Sequence, residues 1–448
     1  MKTLQKITLL ACILIQSIGF SQTNEKDLDV FSKKYDSSLI EENKGVAILI
    51  KKGNNIITAS LGNFNLTQDN VFNIGSATKT FTSILILQEL EKGNLKLTDS
   101  IGHYLKPINN VDNSLTIAQL LKHESGLDEV IGRNIEAIFY AKNDSLYNDN
   151  LLNQVEKNDP EMIGKYHYCN TNYLLLGRII EKVTDRSYFD LIRERIISPL
   201  KMKNTYPYVH KNLPNLATPY HQEKDVTAYL DYKYYANIAH AAGSIASTLS
   251  DMEIFYRSLF ETNILLKKET VKQMMESGNE FYGLGIMKSS YKGIKYYNHG
   301  GSNIGYSFMN AYNPKTKNLF LLFTNSRRMP LGKSIKNDLF GYLNDEEIES
   351  FKSVNIESFR EVTGTYLLKE ANLTLEIKEE NGKLFLVSKA QGLKSELSQK
   401  SETTLYDKIV GATLTKIEGN NKSLTFSQNG FTTTISKIAS KNKDVNQK

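Results

Sequence analysis

The stretch Val71-Phe72-Asn73-Ile74-Gly75-Ser76-Ala77-Thr78-Lys79 leads directly into a helical pattern. Apolar residues recur at helical spacing over residues 77–91, and Gly93 ends the pattern. Ser76 and Lys79 are therefore predicted to lie one turn apart on the same face at the start of a helix. A hydroxyl and an amine in this arrangement can share a proton, which is one way in which a weak serine nucleophile becomes reactive.

Two further properties of this position favour nucleophilic chemistry. A lysine that is desolvated among apolar neighbours can lose its proton near neutral pH and act as a base. The start of a helix also supplies backbone N–H groups and a positive dipole end where an oxyanion would form. Because Ser-x-x-Lys also occurs by chance in many chains, its meaning depends on the rest of the sequence.

Strand patterns stand on both sides of a long helical region. Two β-rich runs, 45–50 and 56–61, flank a turn rich in Gly and Asn and predict a hairpin. Residues 76–260 are mostly helical in pattern. Four later runs have strand character: 282–287, 295–298, 306–312 and 319–324. This order predicts an α+β fold in which early and late strands form one antiparallel sheet flanked by helices, with an inserted helical subdomain.

A second unit is predicted over residues 351–438. No proline occurs after residue 363, and Asn381-Gly382 and Asn429-Gly430 are typical of tight turns. Short alternating runs predict strands at 365–368, 373–377, 384–387, 413–417, 424–426 and 431–435. We expect a small antiparallel β-barrel-like domain with a structural or substrate-covering role, because it contains no cluster of titratable residues. Residues 439–448 form a polar tail.

The first 21 residues have the pattern of a secretory signal peptide. Lys2 and Lys6 precede an apolar run at 7–15, and small residues stand before Gln22. We therefore expect an exported protein, periplasmic or secreted, whose first folded unit covers residues 22–350. A lipoprotein anchored through Cys12 is the less favoured alternative, because a large leucine stands two residues before that cysteine. No later stretch reaches the roughly 18 apolar residues of a transmembrane anchor.

Composition excludes several classes of function. The 448 residues carry a net charge of +6, which falls to about +4 without the two lysines of the leader and indicates no nucleic-acid partner. The seven histidines show no H-x-x-x-H spacing and no cysteine cluster exists, so we expect no metal and no other cofactor. Only Cys12 and Cys169 are present, and the mature chain would keep one of them, so no internal disulfide is expected.

Two downstream motifs give the Ser-x-x-Lys stretch its meaning. They are Tyr168-Cys169-Asn170 and His299-Gly300-Gly301-Ser302, and the segments 95–99, 116–127 and 242–248 support them. In this order, the sequence resembles the serine β-lactamase and penicillin-binding-protein family, in particular its class C-like branch of D,D-peptidases, D-aminopeptidases and esterases. The resemblance covers about residues 30–345 and implies a β-lactamase/transpeptidase-like fold.

The resemblance implies a role for each residue of the first two motifs. Ser76 would be the acylated nucleophile, and Lys79 the base or proton relay beside it. Tyr168 would share the base role and protonate the leaving group, while Asn170 would hydrogen-bond Lys79 and the substrate amide. Taken alone, Tyr168 and Asn170 would be a tyrosine anchor and a helix cap, because Asn170 just precedes an apolar periodic run.

The third motif would bind the substrate. The backbone N–H groups of Ser76 and Ser302 would form an oxyanion hole, and Gly300 and Gly301 would let the substrate lie against the strand. Many members of the family have a lysine where this chain has His299. An imidazole is mostly neutral near pH 7, which weakens the case for substrates with a free carboxylate, such as β-lactams and peptides ending in D-alanine.

The sequence thus predicts an exported serine hydrolase that works through an acyl-enzyme on Ser76. It would cleave an amide or ester bond in a D-amino-acid peptide or a small ester. The alternatives are a D,D-carboxypeptidase or β-lactamase, and a non-catalytic penicillin-binding or sensor protein. The expected partners are small-molecule or peptide substrates, including cell-wall-derived ones, and the sequence indicates no oligomeric state.

Overall fold

The computed structural model describes residues 25–41, 43–132, 135, 139–140, 149–221, 223–231, 234–327, 331–428 and 431–438. The predicted signal peptide with Cys12, the turn at Asn429-Gly430 and the polar tail lie outside these residues. Within the described ranges, no helix combines the length and the apolar composition that crossing a bilayer requires.

One antiparallel sheet forms the centre of the first unit. Its strands run in the spatial order β2-β1-β11-β10-β8-β7, and the short strand β9 also pairs with β10. In chain order the strands of this unit are β1 (Gly45–Lys52), β2 (Asn55–Gly62), β3 (Phe72–Asn73), β4 (Tyr220–His221), β5 (Lys224–Asp225), β6 (Ala246–Ser247), β7 (Met287–Tyr291), β8 (Ile294–Asn298), β9 (Gly301–Asn303), β10 (Tyr306–Tyr312) and β11 (Leu319–Thr324). Because β1 pairs with β11, the first and last strands of the unit lie side by side, as predicted.

One predicted strand is displaced. The run 282–287 was expected to be a strand, whereas the strand begins at Met287 and ends at Tyr291. Lys292 and Gly293 both have positive φ and make the two-residue turn that pairs Tyr291 with Ile294. Residues before Met287 turn away instead, because Gly283 packs so tightly on the preceding helix that an added Cβ would lie 2.2 Å from the Met274 carbonyl oxygen.

Helices cover both faces of the sheet. The helix Glu25–Glu41 and the helix Gly332–Leu343 pack on one face, while the inserted helical region packs on the other. This burial on both faces explains why β1 and β11 have nearly continuous apolar runs. In chain order the helices are Glu25–Glu41, Thr78–Lys92, Ile117–Leu121, Asn170–Thr184, Tyr188–Ile192, Ser198–Leu200, His240–Gly243, Leu249–Glu261, Lys268–Glu276, Gly332–Leu343 and Ile356–Phe359.

The helix Thr78–Lys92 lies in the centre of the inserted region. It is buried almost all round, and Phe81 stacks on Phe255 with ring centroids 3.9 Å apart. Gly93 ends it with φ +77°, as the sequence predicts. Because its neighbours hold it on every side, this helix is a rigid base for the residues at its first turn.

The second unit is a closed antiparallel barrel of eight strands, which confirms the predicted β-domain. Sequence analysis found six of the eight. The two it missed have polar residues at inward positions, such as Ser395 and Asp407, so their apolar alternation is weak. The strands are Gly364–Leu368, Leu373–Glu380, Lys383–Ser388, Leu393–Gln399, Thr404–Asp407, Thr413–Ile417, Asn420–Gln428 and Phe431–Lys437.

The barrel packs on the outer helical layer of the first unit. The Ser334 hydroxyl, on the helix Gly332–Leu343, donates to the Lys408 carbonyl at 2.6 Å and lies 2.7 Å from the Tyr406 hydroxyl. The backbone N–H of Lys352 donates to Ser398. These contacts lie across the sheet from the helix Thr78–Lys92, so they support a structural role for the barrel.

Candidate active site

Ser76 lies in a tight turn between β3 and the helix Thr78–Lys92. The turn Gly75–Ala77 is a 3₁₀ helix, so the regular α-helix begins at Thr78. Asn73 holds this turn, because its carboxamide oxygen accepts from Gly75 N–H at 3.1 Å and its nitrogen donates to the carbonyls of residues 243–245. Ser76 is thus held half-exposed at the start of a rigid helix.

Lys79 is completely buried, and three acceptors surround its ammonium group. The Nζ atom lies 3.1 Å from Ser76 Oγ, 2.6 Å from Asn170 Oδ1 and 2.8 Å from the Ala242 carbonyl oxygen. Burial lowers the pKa of Lys79 to about 7, although the charge of Glu129 opposes this shift. Since the two oxygens from Asn170 and Ala242 can only accept hydrogen bonds, the lone pair of a neutral Lys79 can point only at Ser76.

Tyr168 lies beside both of these groups. Burial raises the pKa of its phenol, and a hydrogen bond with the Ser76 side chain acts in the opposite direction. Lys79 Nζ lies 5.1 Å from the centroid of the Tyr168 ring. Tyr168 therefore remains a neutral phenol near pH 7, in a position to pass a proton to or from Ser76.

Asn170 does not use its side chain as a helix cap. It is the first residue of the helix Asn170–Thr184, and Cys169 occupies the cap position without a side-chain hydrogen bond. The Asn170 oxygen accepts from Lys79, and its amide nitrogen donates to Glu129 Oε2 at 3.0 Å. The alternative reading of Asn170 as a cap is therefore wrong, because its carboxamide is engaged with Lys79 and Glu129.

The strand β9 lies against the turn that carries Ser76. A Cβ added to Gly301 would lie 2.0 Å from the Ile74 carbonyl oxygen and 2.6 Å from Ser76 N. A Cβ added to Gly75 would lie 2.8 Å from Ser302 N. The segments that carry the backbone nitrogens of Ser76 and Ser302 are thus in close contact, and an oxyanion hole built from these two residues requires that contact.

This close approach leads to a prediction for the variant Gly301→Ala. The added methyl group has no space, so β9 must move away from Ser76, and we expect acylation to slow by about 100-fold or more. Gly341→Ala is the control, since an added Cβ there meets its nearest neighbour at 3.5 Å. Stopped-flow acylation rates and melting temperatures of both variants check this, and a Gly301→Ala rate equal to that of the native protein would contradict it.

His299 is buried rather than open to the cleft. Its Nδ1 lies 2.9 Å from the Gly300 carbonyl oxygen, so Nδ1 carries the proton and Nε2 accepts from the Tyr282 hydroxyl at 2.8 Å. Burial lowers the pKa of His299 to about 3, so the ring is neutral near pH 7. With 1% of its surface exposed, the His299 side chain offers almost no open surface to a substrate carboxylate, so its place among the substrate-binding residues stays a prediction.

Two residues at this site were not singled out from the sequence. His123 was counted only among the seven histidines without metal-ligand spacing, yet its Nδ1 accepts from Cys169 N–H at 3.1 Å and its ring packs on Tyr168, with centroids 4.2 Å apart. Glu129 accepts two hydrogen bonds from Asn170. His123 lies within the segment 116–127 that supports the family resemblance, although no role was assigned to it, whereas nothing near Glu129 in the sequence distinguishes it from a surface carboxylate.

The arrangement thus combines a half-exposed serine, a buried lysine with a lowered pKa, a neutral phenol and two adjacent backbone N–H groups. These are the parts required for acyl transfer through a serine ester. Among the described residues, no group of three or more His, Cys, Asp or Glu is placed to hold a metal ion.

Comparison with known proteins agrees with this geometry. Residues 38–338 match the family model described as Beta-lactamase. Penicillin-binding protein 4* of Bacillus subtilis (strain 168) is 28% identical over 377 residues, which cover 76% of this chain and 81% of that protein.

Two solved structures extend the comparison. A D-stereospecific amidohydrolase from Streptomyces sp. is 26% identical, with a TM-score of 0.59, and the match covers 67% of this chain and 95% of that one. The octameric penicillin-binding protein homologue from Pyrococcus abyssi has a TM-score of 0.64 at 22% identity, over 92% of this chain and all of that one, so the likeness in fold extends into the barrel. The chain therefore belongs to the beta-lactamase family and is a serine hydrolase of its penicillin-binding-protein-like type.

Proposed function

We propose that this chain is an exported hydrolase that acts through an acyl-enzyme on Ser76. The observation that carries the proposal is the set of contacts around Lys79. Its amine is buried, has a pKa of about 7, and is held by two carbonyl-type acceptors so that its remaining position faces Ser76 Oγ. A solvent-exposed lysine without a catalytic role would show neither this burial nor this set of contacts.

In acylation, neutral Lys79 accepts the Ser76 proton, either directly or through the Tyr168 hydroxyl, while Oγ bonds to the substrate carbonyl carbon. The developing oxyanion receives hydrogen bonds from the N–H groups of Ser76 and Ser302. When the tetrahedral intermediate collapses, the bond to the leaving nitrogen or oxygen breaks, and Tyr168 protonates that atom and regains a proton from Lys79. Water then attacks the ester by the same proton path and releases the acid.

The proposed substrates are amides of D-amino acids, peptides that contain them, or small esters. His299 is neutral and buried at the position where many relatives place a lysine, which favours substrates without a free carboxylate at this point. The similarity to the Streptomyces D-stereospecific amidohydrolase supports the D-amino-acid part of the proposal. Export rests on the leader pattern of residues 1–21.

Intact-mass analysis tests this proposal. The mature chain and its Ser76→Ala variant are incubated with excess benzylpenicillin and, separately, with p-nitrophenyl acetate, and the adduct is mapped to the peptide that contains residues 76–79. We expect a Ser76-dependent ester adduct that turns over. Labelling by penicillin as well would indicate a D,D-peptidase-like or β-lactamase-like site.

Stereochemistry is tested by the turnover of D-alanine and L-alanine p-nitroanilide in parallel. Faster hydrolysis of the D isomer supports the proposed substrate class, and equal rates contradict it. An adduct that persists for hours without turnover favours the sensor alternative, while the absence of both adduct and turnover with every reagent contradicts the proposed function.

A further inference from the structure

Glu129 binds the segment that carries Asn170 through both of its carboxylate oxygens. Oε2 accepts from Asn170 N–H at 2.6 Å and from Asn170 Nδ2 at 3.0 Å. Oε1 accepts from Ile131 N–H at 2.8 Å and from Gly132 N–H at 3.1 Å. The carboxylate therefore joins its own loop to the first turn of the helix Asn170–Thr184.

The chemistry of these partners determines which way the Asn170 carboxamide faces. An ionised carboxylate can only accept hydrogen bonds, so Asn170 must turn its NH₂ group towards Glu129. Its oxygen then faces Lys79 Nζ at 2.6 Å. In the flipped orientation the NH₂ group would face the lysine, which also donates hydrogen bonds, and Lys79 would lose one of the acceptors that hold it.

We propose that Glu129 is a positioning residue for catalysis: it fixes the orientation of the Asn170 carboxamide and thereby holds Lys79 against Ser76. It acts through Asn170 and touches none of the reacting atoms. The inference rests on the proposed function, because it assigns Glu129 to the acylation of Ser76.

The charge of Glu129 also affects the proton chemistry of the site, because it partly offsets the lowering of the Lys79 pKa by burial. The titratable groups that face Lys79 are Glu129, Cys169, Tyr168, Tyr173, His123 and His299. Burial raises the pKa of the three acids Cys169, Tyr168 and Tyr173 and lowers that of the two histidines, so all five are neutral near pH 7. Glu129 is therefore the group in this set that contributes a charge.

The test is a double-mutant cycle between Glu129→Gln and Asn170→Ala, measured as the rate of Ser76 acylation by p-nitrophenyl acetate from pH 5 to 9. A glutamine has one oxygen and one NH₂ group where the carboxylate has two oxygens, so its NH₂ group must face N–H donors either on Asn170 or in the loop. We therefore expect the plateau rate of acylation to fall by about 10- to 100-fold. In the Asn170→Ala background the same change should have little further effect. Glu161→Gln, which removes an exposed carboxylate, is the charge control and should match the native rate.

The pH profile separates positioning from simple loosening of the structure. Acylation should rise with pH as Lys79 loses its proton, and we call this rise the acid limb of the profile. Without the Glu129 charge, the lowering of the Lys79 pKa by burial is less opposed, so the midpoint of the acid limb should move to lower pH. If the substitution only loosened the site and admitted water, the Lys79 pKa would rise towards its ordinary value and the midpoint would move to higher pH. That upward shift, an unchanged plateau rate, or an equal loss in the Asn170→Ala background would each overturn the inference.

Glu129→Asp covers the case in which Glu129→Gln fails to fold. It keeps the charge and withdraws the carboxylate by one methylene, so acylation should slow while the midpoint of the acid limb stays in place. Native kinetics in Glu129→Asp would overturn the inference. A native chain that shows no adduct at Ser76 would overturn the proposed function and this inference together, whereas rapid labelling of both native and Glu129→Gln proteins would overturn the inference alone.

Discussion

Ser76→Ala is expected to reduce ester and amide hydrolysis by about 10⁴- to 10⁶-fold, with little loss of folded protein. The Ser76 hydroxyl is the group that Lys79 and Tyr168 both face, and without it no acyl-enzyme can form. The side chain is half-exposed and lies in a turn held by Asn73 through backbone contacts, so its loss removes little packing. Steady-state kinetics and a thermal melt of the same preparation measure both effects.

Ser83→Ala is the matched control for this variant. Ser83 lies on the helix Thr78–Lys92 that follows Ser76, is fully buried, and donates to the Leu284 carbonyl at 2.6 Å. Its loss should lower stability by about 1–3 kcal/mol, because a buried acceptor is left without its partner, while the acylation rate per folded molecule stays close to native. Equal losses of activity in Ser76→Ala and Ser83→Ala would mean that the first variant acts through stability and that Ser76 is not the nucleophile.

Lys79→Ala is the second change with a large expected effect. Acylation should slow by about 10²- to 10⁴-fold, the range of a single general base, while the affinity for substrate before acylation changes far less. The reason is that Lys79 acts on the Ser76 proton and, being fully buried, does not line the open part of the cleft. Rapid-mixing kinetics at several substrate concentrations separate the acylation rate from the affinity.

The pH dependence gives an independent check on Lys79. With a pKa lowered to about 7, the lysine is mostly protonated below pH 6 and mostly neutral above pH 8. Since only the neutral amine can accept the Ser76 proton, acylation of the native protein should rise with pH through about pH 7 and then level off. Lys79→Ala should lose this acid limb.

Lys92→Ala is the control lysine, because Lys92 lies at the far end of the same helix and pairs with Glu89 at 2.8 Å. It should keep both the native rate and the acid limb. A limb near pH 7 that persists in Lys79→Ala would assign the proton acceptor to another group.

Local pattern was enough to predict most of the fold. The hairpin at β1 and β2, the helix that ends at Gly93 and six barrel strands follow from apolar periodicity and turn residues, which depend on near neighbours in the chain. The displaced strand 282–287 shows the limit of this approach. Gly283 packs on a neighbouring helix at a distance that no local pattern reveals, and the turn Lys292-Gly293 sets the register instead.

The sequence by itself determined the helix that carries Lys79, most strand segments of the sheet and of the β-domain, and the order of the three motifs, because each of these can be recognised from short stretches of the chain. The family resemblance implied the contact between Lys79 and Asn170, but only the tertiary structure decided the complete set of groups around Lys79. Its partners Asn170 and Ala242 lie 91 and 163 residues away along the chain. Glu129, on a third segment, accepts a hydrogen bond from Asn170. The pKa of Lys79, the burial of His299 and the orientation of Asn170 follow from solvent exclusion and hydrogen-bond geometry among these distant segments, which exist only once the chain has packed.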